Sequence, residues 1–334
     1  MSSLYINGVH ILVPMDELSL ESFIDNIICG NKIVTSNNID LNSYGKRREF
    51  RRIDRMSMLA LLCYEKLLEP YLETESDIEN YGTIINTVFG PIETNVEFAN
   101  SIVHGNPEAA SPISFSHTVN NAALGHVCKK YKIKGPSTLL LSSNIIEVAN
   151  NLILSKKAET IFACGLDQYF EELYCSLKER GFEVVETAVG LTLDMKKNDH
   201  TYCEIIGGYE ENLGGHPYFQ DNQIEFFRVE NITYEAVHKS GLEPSHIRYF
   251  IINSAYEEII SEELRVAKLL NSNCEVINTG KCIGETLGAT LLLNLAVASL
   301  LCKIGKISPE DGILVGSYDI SGNYIAYIVT TSKD

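Results

Sequence analysis

Positive charge is scarce in this sequence: 27 Lys and Arg stand against 44 Asp and Glu, a formal net charge of -17 over 334 residues. Nucleic acids and anionic membrane surfaces attract clustered Lys and Arg, so neither is expected as a partner. The basic runs Lys46-Arg47-Arg48 and Arg51-Arg52 are short and read as a solvated or partner-facing surface. A Cys-x-x-Cys pair is also missing, and the nine cysteines form an odd set with no histidine at metal-ligand spacing. Reduced thiols in a cytoplasm fit this best, and no metal or other cofactor is expected. Long apolar runs are absent as well. The longest, Leu287 to Cys302, is interrupted by Gly288, Thr290 and Asn294, which makes it short for a membrane span and suited to a buried core helix. The opening Met1-Ser2-Ser3-Leu4-Tyr5-Ile6 has no basic stretch followed by an apolar one, so a secretory leader is not expected.

What is present is an ordinary globular composition, 45% hydrophobic and 21% charged. The length exceeds that at which single cores stop growing, so two halves are expected, residues 1–200 and 201–334. Apolar periodicity predicts strands at Leu4 to Val13, Gly82 to Phe89, Thr138 to Leu141, Thr160 to Ala163 and Val189 to Met195. It predicts helices at Glu17 to Cys29, Ile53 to Leu72, Thr118 to Tyr131 and Ile145 to Leu154. The second half repeats the plan. Helices at Asn231 to Ser240, Glu257 to Leu270 and Thr286 to Lys303 alternate with strands Tyr249 to Ile252 and Glu275 to Ile277, and a hairpin of Gly312 to Val315 with Tyr324 to Thr330 closes the chain. This alternation predicts an α/β fold with a mainly parallel sheet covered by helices.

Several local strings, in order, resemble the β-ketoacyl-acyl-carrier-protein synthases of the thiolase superfamily. They are Thr118 to His126, the Gly135-Pro136-Ser137 turn, Lys157 to Gly165, Gly241 to Tyr249, the Asn278 to Thr290 region and the loop Gly316 to Asn323. The loop departs from the family pattern, because Asp319 and Ser321 stand where glycines are expected. Each string is weak by itself, and their order over most of the chain carries the resemblance. It implies a thiolase-like αβαβα layered fold built from two similar halves with mixed, mainly parallel sheets.

Decarboxylative condensation needs a thiolate to hold the acyl chain and two imidazoles to stabilise the enolate. The elbow after Gly135-Pro136-Ser137 falls at Ser142-Ser143-Asn144, where no thiol is available. Asn144 aligns with the cysteine, with Ser142 and Ser143 as alternatives, and Ser143 or Asn144 also suits a helix cap. Asn253 takes the position of the first histidine, with Ala255 as the alternative; an asparagine donates a hydrogen bond but shuttles no proton. Glu285 takes the second, where a carboxylate repels an enolate; its plain reading is a charge favourable in the first turn of the next helix. Lys281 resembles the family's supporting lysine and is placed to pair with Glu285. Ile320 lies near the family's gating residue. His117, His126 and Cys164 read as packed or surface side chains rather than reactive groups.

With all three catalytic positions changed together, the resemblance implies a non-catalytic, chain-length-factor-like subunit in a type II fatty-acid, polyketide or polyene system. Its partner would be an active ketosynthase, joined as a heterodimer through the strand Thr138 to Leu141, with acyl carrier protein engaged indirectly. The alternatives are an enzyme of altered chemistry, performing acyl transfer or malonyl decarboxylation, and a homodimeric acyl-binding scaffold.

Overall fold

The structure is a computed structural model that describes residues 3–45, 50–73, 78, 81–105, 110–216, 218, 224–254 and 256–332. The run Lys46-Arg47-Arg48 and the alternative residue Ala255 lie outside the described residues. The first half contains β1 (Leu4–Leu12), α1 (Leu20–Cys29), α2 (Arg55–Glu73), β2 (Gly82–Thr87), α3 (Ile92–Val103), α4 (Pro112–Ser116), α5 (Ala122–Tyr131), β3 (Ser137–Leu141), α6 (Ile145–Leu154), β4 (Thr160–Asp167), α7 (Glu171–Glu179) and β5 (Thr187–Asp194). The second contains β6 (Cys203–Asn212), α8 (Arg228–Ser240), β7 (Ile247–Ile252), α9 (Glu257–Leu270), β8 (Glu275–Asn278), α10 (Thr279–Cys282), α11 (Thr290–Lys303), β9 (Gly312–Tyr318) and β10 (Asn323–Thr330).

Helices α6 and α9 fall on the residues the periodicity predicts, and the differences elsewhere have local causes. Helix α1 starts three residues later than expected because the Ser19 side chain caps it, accepting from Ser22 N at 3.2 Å, and Gly30 at φ 71 ends it. Helix α11 starts at Thr290 because a short 3-10 turn, Leu287–Ala289, precedes it. Strand β6 escapes a period-2 reading because Gly207 and Gly208 interrupt its alternation.

The ten strands form one sheet in the order β3-β2-β4-β5-β1-β6-β10-β9-β7-β8. Read outward from the central β1–β6 pair, each side presents the same sequence of elements. Among the described residues, β2 pairs in parallel with β3 and β4, and β7 with β8 and β9, while the inner pairings are antiparallel. The sheet is therefore mixed, with more antiparallel pairing than strand-helix alternation suggests: β9 and β10 form a hairpin, and β5 runs antiparallel to both β4 and β1 although α7 precedes it.

Side chains alternate across each strand, and the alternation sorts the apolar residues into layers. On β4, Phe162 and Cys164 face a core shared with α2 and α5, whereas Ile161 and Ala163 face a central core shared with α6 and α11. On β10, Tyr324, Ala326 and Ile328 pack with α8 and α9, whereas Ile325, Tyr327 and Val329 face the same central core. On this one continuous sheet the layers run helix, first-half strands, helix, second-half strands, helix, the αβαβα order expected. Helix α11 is buried on every side from Thr290 to Cys302, which is why its sequence shows no polar face. No helix among the described residues is long and apolar enough to cross a membrane.

Candidate functional site

Strand β3 runs directly into an elbow. Ser142 adopts φ 49, left-handed backbone that a β-carbon disfavours, and its N–H donates to the Thr87 carbonyl at 3.0 Å. Ser143 N donates to Asn86 Oδ1 at 3.3 Å, and Asn86 Nδ2 donates to the Gly288 carbonyl at 2.9 Å. The elbow is thus joined to the end of β2 and, through it, to the Gly284–Gly288 loop. No hydrogen bond from the Ser142 or Ser143 hydroxyl occurs among the described residues. Asn144 turns another way. It caps α6 by accepting from Glu147 N at 3.2 Å, donates to Glu210 Oε2 on β6 at 2.8 Å, and accepts from the Tyr327 hydroxyl on β10 at 3.0 Å.

At the end of β4, Asp167 ties the same pieces together. Its buried carboxylate accepts from the Thr87 hydroxyl at 2.8 Å, Val88 N at 2.9 Å, Phe89 N at 3.0 Å and Gly288 N at 2.9 Å. Burial pushes its pKa up to about 6, and these donors hold it down from going further. The approach is close: a β-carbon on Gly288 would lie 2.8 Å from Asp167 Oδ2 and 2.8 Å from Thr87 Cα. On the far side of the loop, Asn253 Nδ2 donates to Thr279 Oγ1 at 2.9 Å and toward the Gly284 carbonyl at 3.4 Å. Thr279 in turn bonds Asn294 of α11, which donates to the Gly316 carbonyl. Glu285 accepts from Leu287 N at 2.9 Å and Thr290 Oγ1 at 3.2 Å, and burial raises its pKa. Its backbone is bridged to Val184.

Around Leu287 the volume is filled by rings. Tyr174, Phe182 and Tyr218 are buried with Leu287, and Phe89, Tyr169, Tyr256 and Ile320 pack against them. Phe182 and Tyr218 meet edge to face at 4.3 Å, and Phe89 meets Tyr174 at 6.1 Å. His216 meets Tyr218 edge to face at 4.2 Å, and burial pushes its pKa down to about 3. Its Nδ1 accepts the Tyr218 N–H at 3.2 Å, so the neutral ring carries its proton on Nε2. The ring is therefore neutral at neutral pH.

No family model and no curated protein sequence matches the chain. Solved structures do. The ishigamide ketosynthase/chain length factor superposes with a TM-score of 0.80 at 14% identity, over 99% of this chain and 100% of that one. A β-ketoacyl synthase from Burkholderia phymatum STM815 gives 0.77 at 13% identity over all of both chains. The chain has the ketosynthase fold. A third likeness is to AntDE:AntF, a type II polyketide synthase acyl-carrier protein in complex with its ketosynthase bound to the hexaketide, at 0.75 and 15% identity over 99% of each chain.

Within this ketosynthase fold, the residues singled out from the sequence gather around the Gly284–Gly288 loop through the bonds of Asn86, Asp167 and Asn253, with two corrections. The left-handed backbone of the elbow falls on Ser142, and Asn144 directs its amide to β6 and β10. The expected Lys281–Glu285 ion pair does not form: Lys281 is exposed and Glu285 spends its carboxylate on Leu287 N and the Thr290 hydroxyl. His117 and His126 bond one another, Nε2 to Nε2 at 3.1 Å. Cys164 is buried, and desolvation holds its thiol well above the ordinary range. Sequence reasoning missed Asp167, His216 and the ring cluster. Asp167-Gln168 closing the apolar run Thr160 to Leu166 was the available signal for the first, since two polar residues ending a fully buried strand need partners.

Proposed function

We propose that the chain is a non-catalytic ketosynthase-fold subunit, of chain-length-factor type, that pairs with an active ketosynthase in type II polyketide or related acyl-chain biosynthesis. One observation carries this reading. The positions that the resemblance sets against the cysteine and the two histidines hold a serine elbow, an asparagine bonded to a threonine, and a bonded carboxylate, beside a cluster of packed aromatic rings. Ile320 stands in that packed wall, so as a chain-limiting residue it would close a tunnel rather than open one.

The pairing surface is supported by β3, which ends the sheet with one neighbour and leaves Leu141 55% exposed. A free sheet edge with an exposed apolar side chain is a template for a second chain. Co-expression with a ketosynthase encoded beside it, followed by co-purification and light scattering, tests the reading. A stable heterodimer is expected, and Leu141→Asp is expected to weaken it at least tenfold while leaving the thermal melt of the isolated chain unchanged. A persistent homodimer indifferent to the ketosynthase would count against it. So would condensation of acyl and malonyl thioesters by the purified chain alone.

A second reading, acyl transfer, rests on the left-handed backbone at Ser142, which presents a hydroxyl at the strand-to-helix turn. Intact-mass measurement after exposure to an acyl thioester decides it. Without a base, no acyl adduct is expected; an adduct that disappears in Ser142→Ala would establish the transfer chemistry.

A further inference from the structure

Helices α3 and α4 bury nothing within their own chain. Helix α3 has 12 residues, among them Ile92, Val96, Phe98, Ile102 and Val103, and none of the 12 is buried; α4 has no buried residue either. A helix in water draws most of its stability from an apolar face packed against something else. Here that face is left open: Val103 is 71% and Phe115 59% exposed, and Ile102, Ile113 and Val119 are exposed as well. The same stretch is poor in charge. From Phe98 to Cys128 the sequence holds one charged residue, Glu108, although 21% of the chain is charged. A solvated helix face carries charge, whereas the centre of a protein interface is depleted of it and enriched in aromatic residues.

This surface is joined to the free edge of the sheet. The Phe98 and Phe115 rings meet at 5.5 Å and link α3 to α4, His117 and His126 bond at 3.1 Å and link the end of α4 to α5, and Cys128 Sγ lies 3.4 Å from Ser137 Oγ at the start of β3. Strand β3 alone is a short edge, five residues or about 17 Å of backbone, whereas a stable interface covers about 800 Å² on each partner. A chain that pairs with β3 therefore needs further surface.

We propose, on the pairing reading given above, that the exposed apolar residues of α3, α4 and the turn after α4 seat the second ketosynthase-fold chain, which reaches them from β3. A second copy of this chain fits less well, because two bodies that each carry a formal charge of -17 repel one another.

Sedimentation of the full chain with the ketosynthase encoded beside it tests the assignment, using Phe115→Asp and Val103→Lys, whose exposed positions leave the melt of the isolated chain unchanged. Each is expected to weaken the heterodimer at least tenfold. Hydrogen exchange gives an independent readout: the amides of α3 are expected to slow at least tenfold on pairing, because in the isolated chain this helix has no buried packing to protect it. A heterodimer that Leu141→Asp weakens and these two variants do not, with unchanged exchange in α3, would overturn the proposal and leave the pairing through β3 standing. Absence of any heterodimer would remove both. A homodimer in which α3 becomes protected would overturn the choice of occupant, since a second copy would then cover the surface.

Discussion

Replacing Asp167 by alanine is expected to destabilise the fold by about 4 kcal/mol, measured by urea denaturation near neutral pH. The carboxylate receives the Thr87 hydroxyl and the N–H groups of Val88, Phe89 and Gly288. Alanine removes all of these acceptors at once and leaves donors in a place where the neighbouring backbone is too close for water to enter freely: a single β-carbon on Gly288 already meets Thr87 Cα at 2.8 Å. Each orphaned donor costs roughly 1–3 kcal/mol, and the partial exposure of Val88 and Phe89 offsets some of the sum. Asp167→Asn keeps one oxygen and turns an NH₂ toward the remaining donors, so about half that loss is expected. The consequence is also local. Thr87 carries the Ser142 N–H, and Gly288 carries the Asn86 amide, so Asp167 holds the elbow and the Glu285 loop in one arrangement. A loss below about 1 kcal/mol in the alanine variant would mean that water replaces the carboxylate and that this arrangement does not depend on it.

The layers were readable because they rest on periodicity. Ile161, Phe162, Ala163 and Cys164 alternate between two cores, and a strand with apolar residues on both faces can only sit between helices. Helix α11 announced its central place by lacking a polar face. The candidate site was legible where chain order decides position, as at the elbow after β3 and at Asn253 after β7. It was not legible where contact is made across the sheet. Nothing local in the sequence says that Asp167 will face Gly288, 121 residues away, or that Tyr174, Phe182 and Tyr218 will fill the space beside Leu287. The Lys281–Glu285 pairing failed for a related reason: spacing of four residues implies contact only on a continuous helix, and α10 ends at Cys282. Asn144 misled because its alignment fixes the chain position and not the direction of the side chain, which Glu210 and Tyr327 determine.

Glu263 is expected to take stability from the fold as pH rises from about 4.5 to about 8, while His216, pushed down to about 3, and His10, pushed down to about 4, act in the opposite direction up to about pH 6.5. In sequence Glu263 looks like one more acidic residue on the outer face of α9, in the run Glu257, Glu258, Glu262, Glu263. In the fold it is 2% exposed within the core shared with α8 and β10, receives only the Tyr324 hydroxyl at 2.8 Å, and leaves Oε2 unpaired. Burial pushes its pKa from 4.5 up to about 8. The sign follows from proton binding. Above pH 4.5 the unfolded chain releases this proton while the folded chain keeps it, so stability present at low pH falls across that window and levels off above the folded pKa. Each pH unit of that window is worth about 1.4 kcal/mol, so the total is on the order of 4 kcal/mol. Asp167, raised from 3.8 to about 6, acts in the same direction at the lower end of the range. Glu263→Gln keeps the shape and removes the charge. The variant and the unmodified chain are expected to differ little near pH 4.5, and the variant to be more stable by several kcal/mol at pH 8.5. Urea denaturation at both pH values reads this directly, because groups common to both proteins cancel in the difference. Stability curves that stay parallel from pH 4.5 to 8.5 would show that Glu263 ionises in the folded state as freely as in the unfolded one. The neutral carboxylic acid assigned to the α9 core would then be wrong.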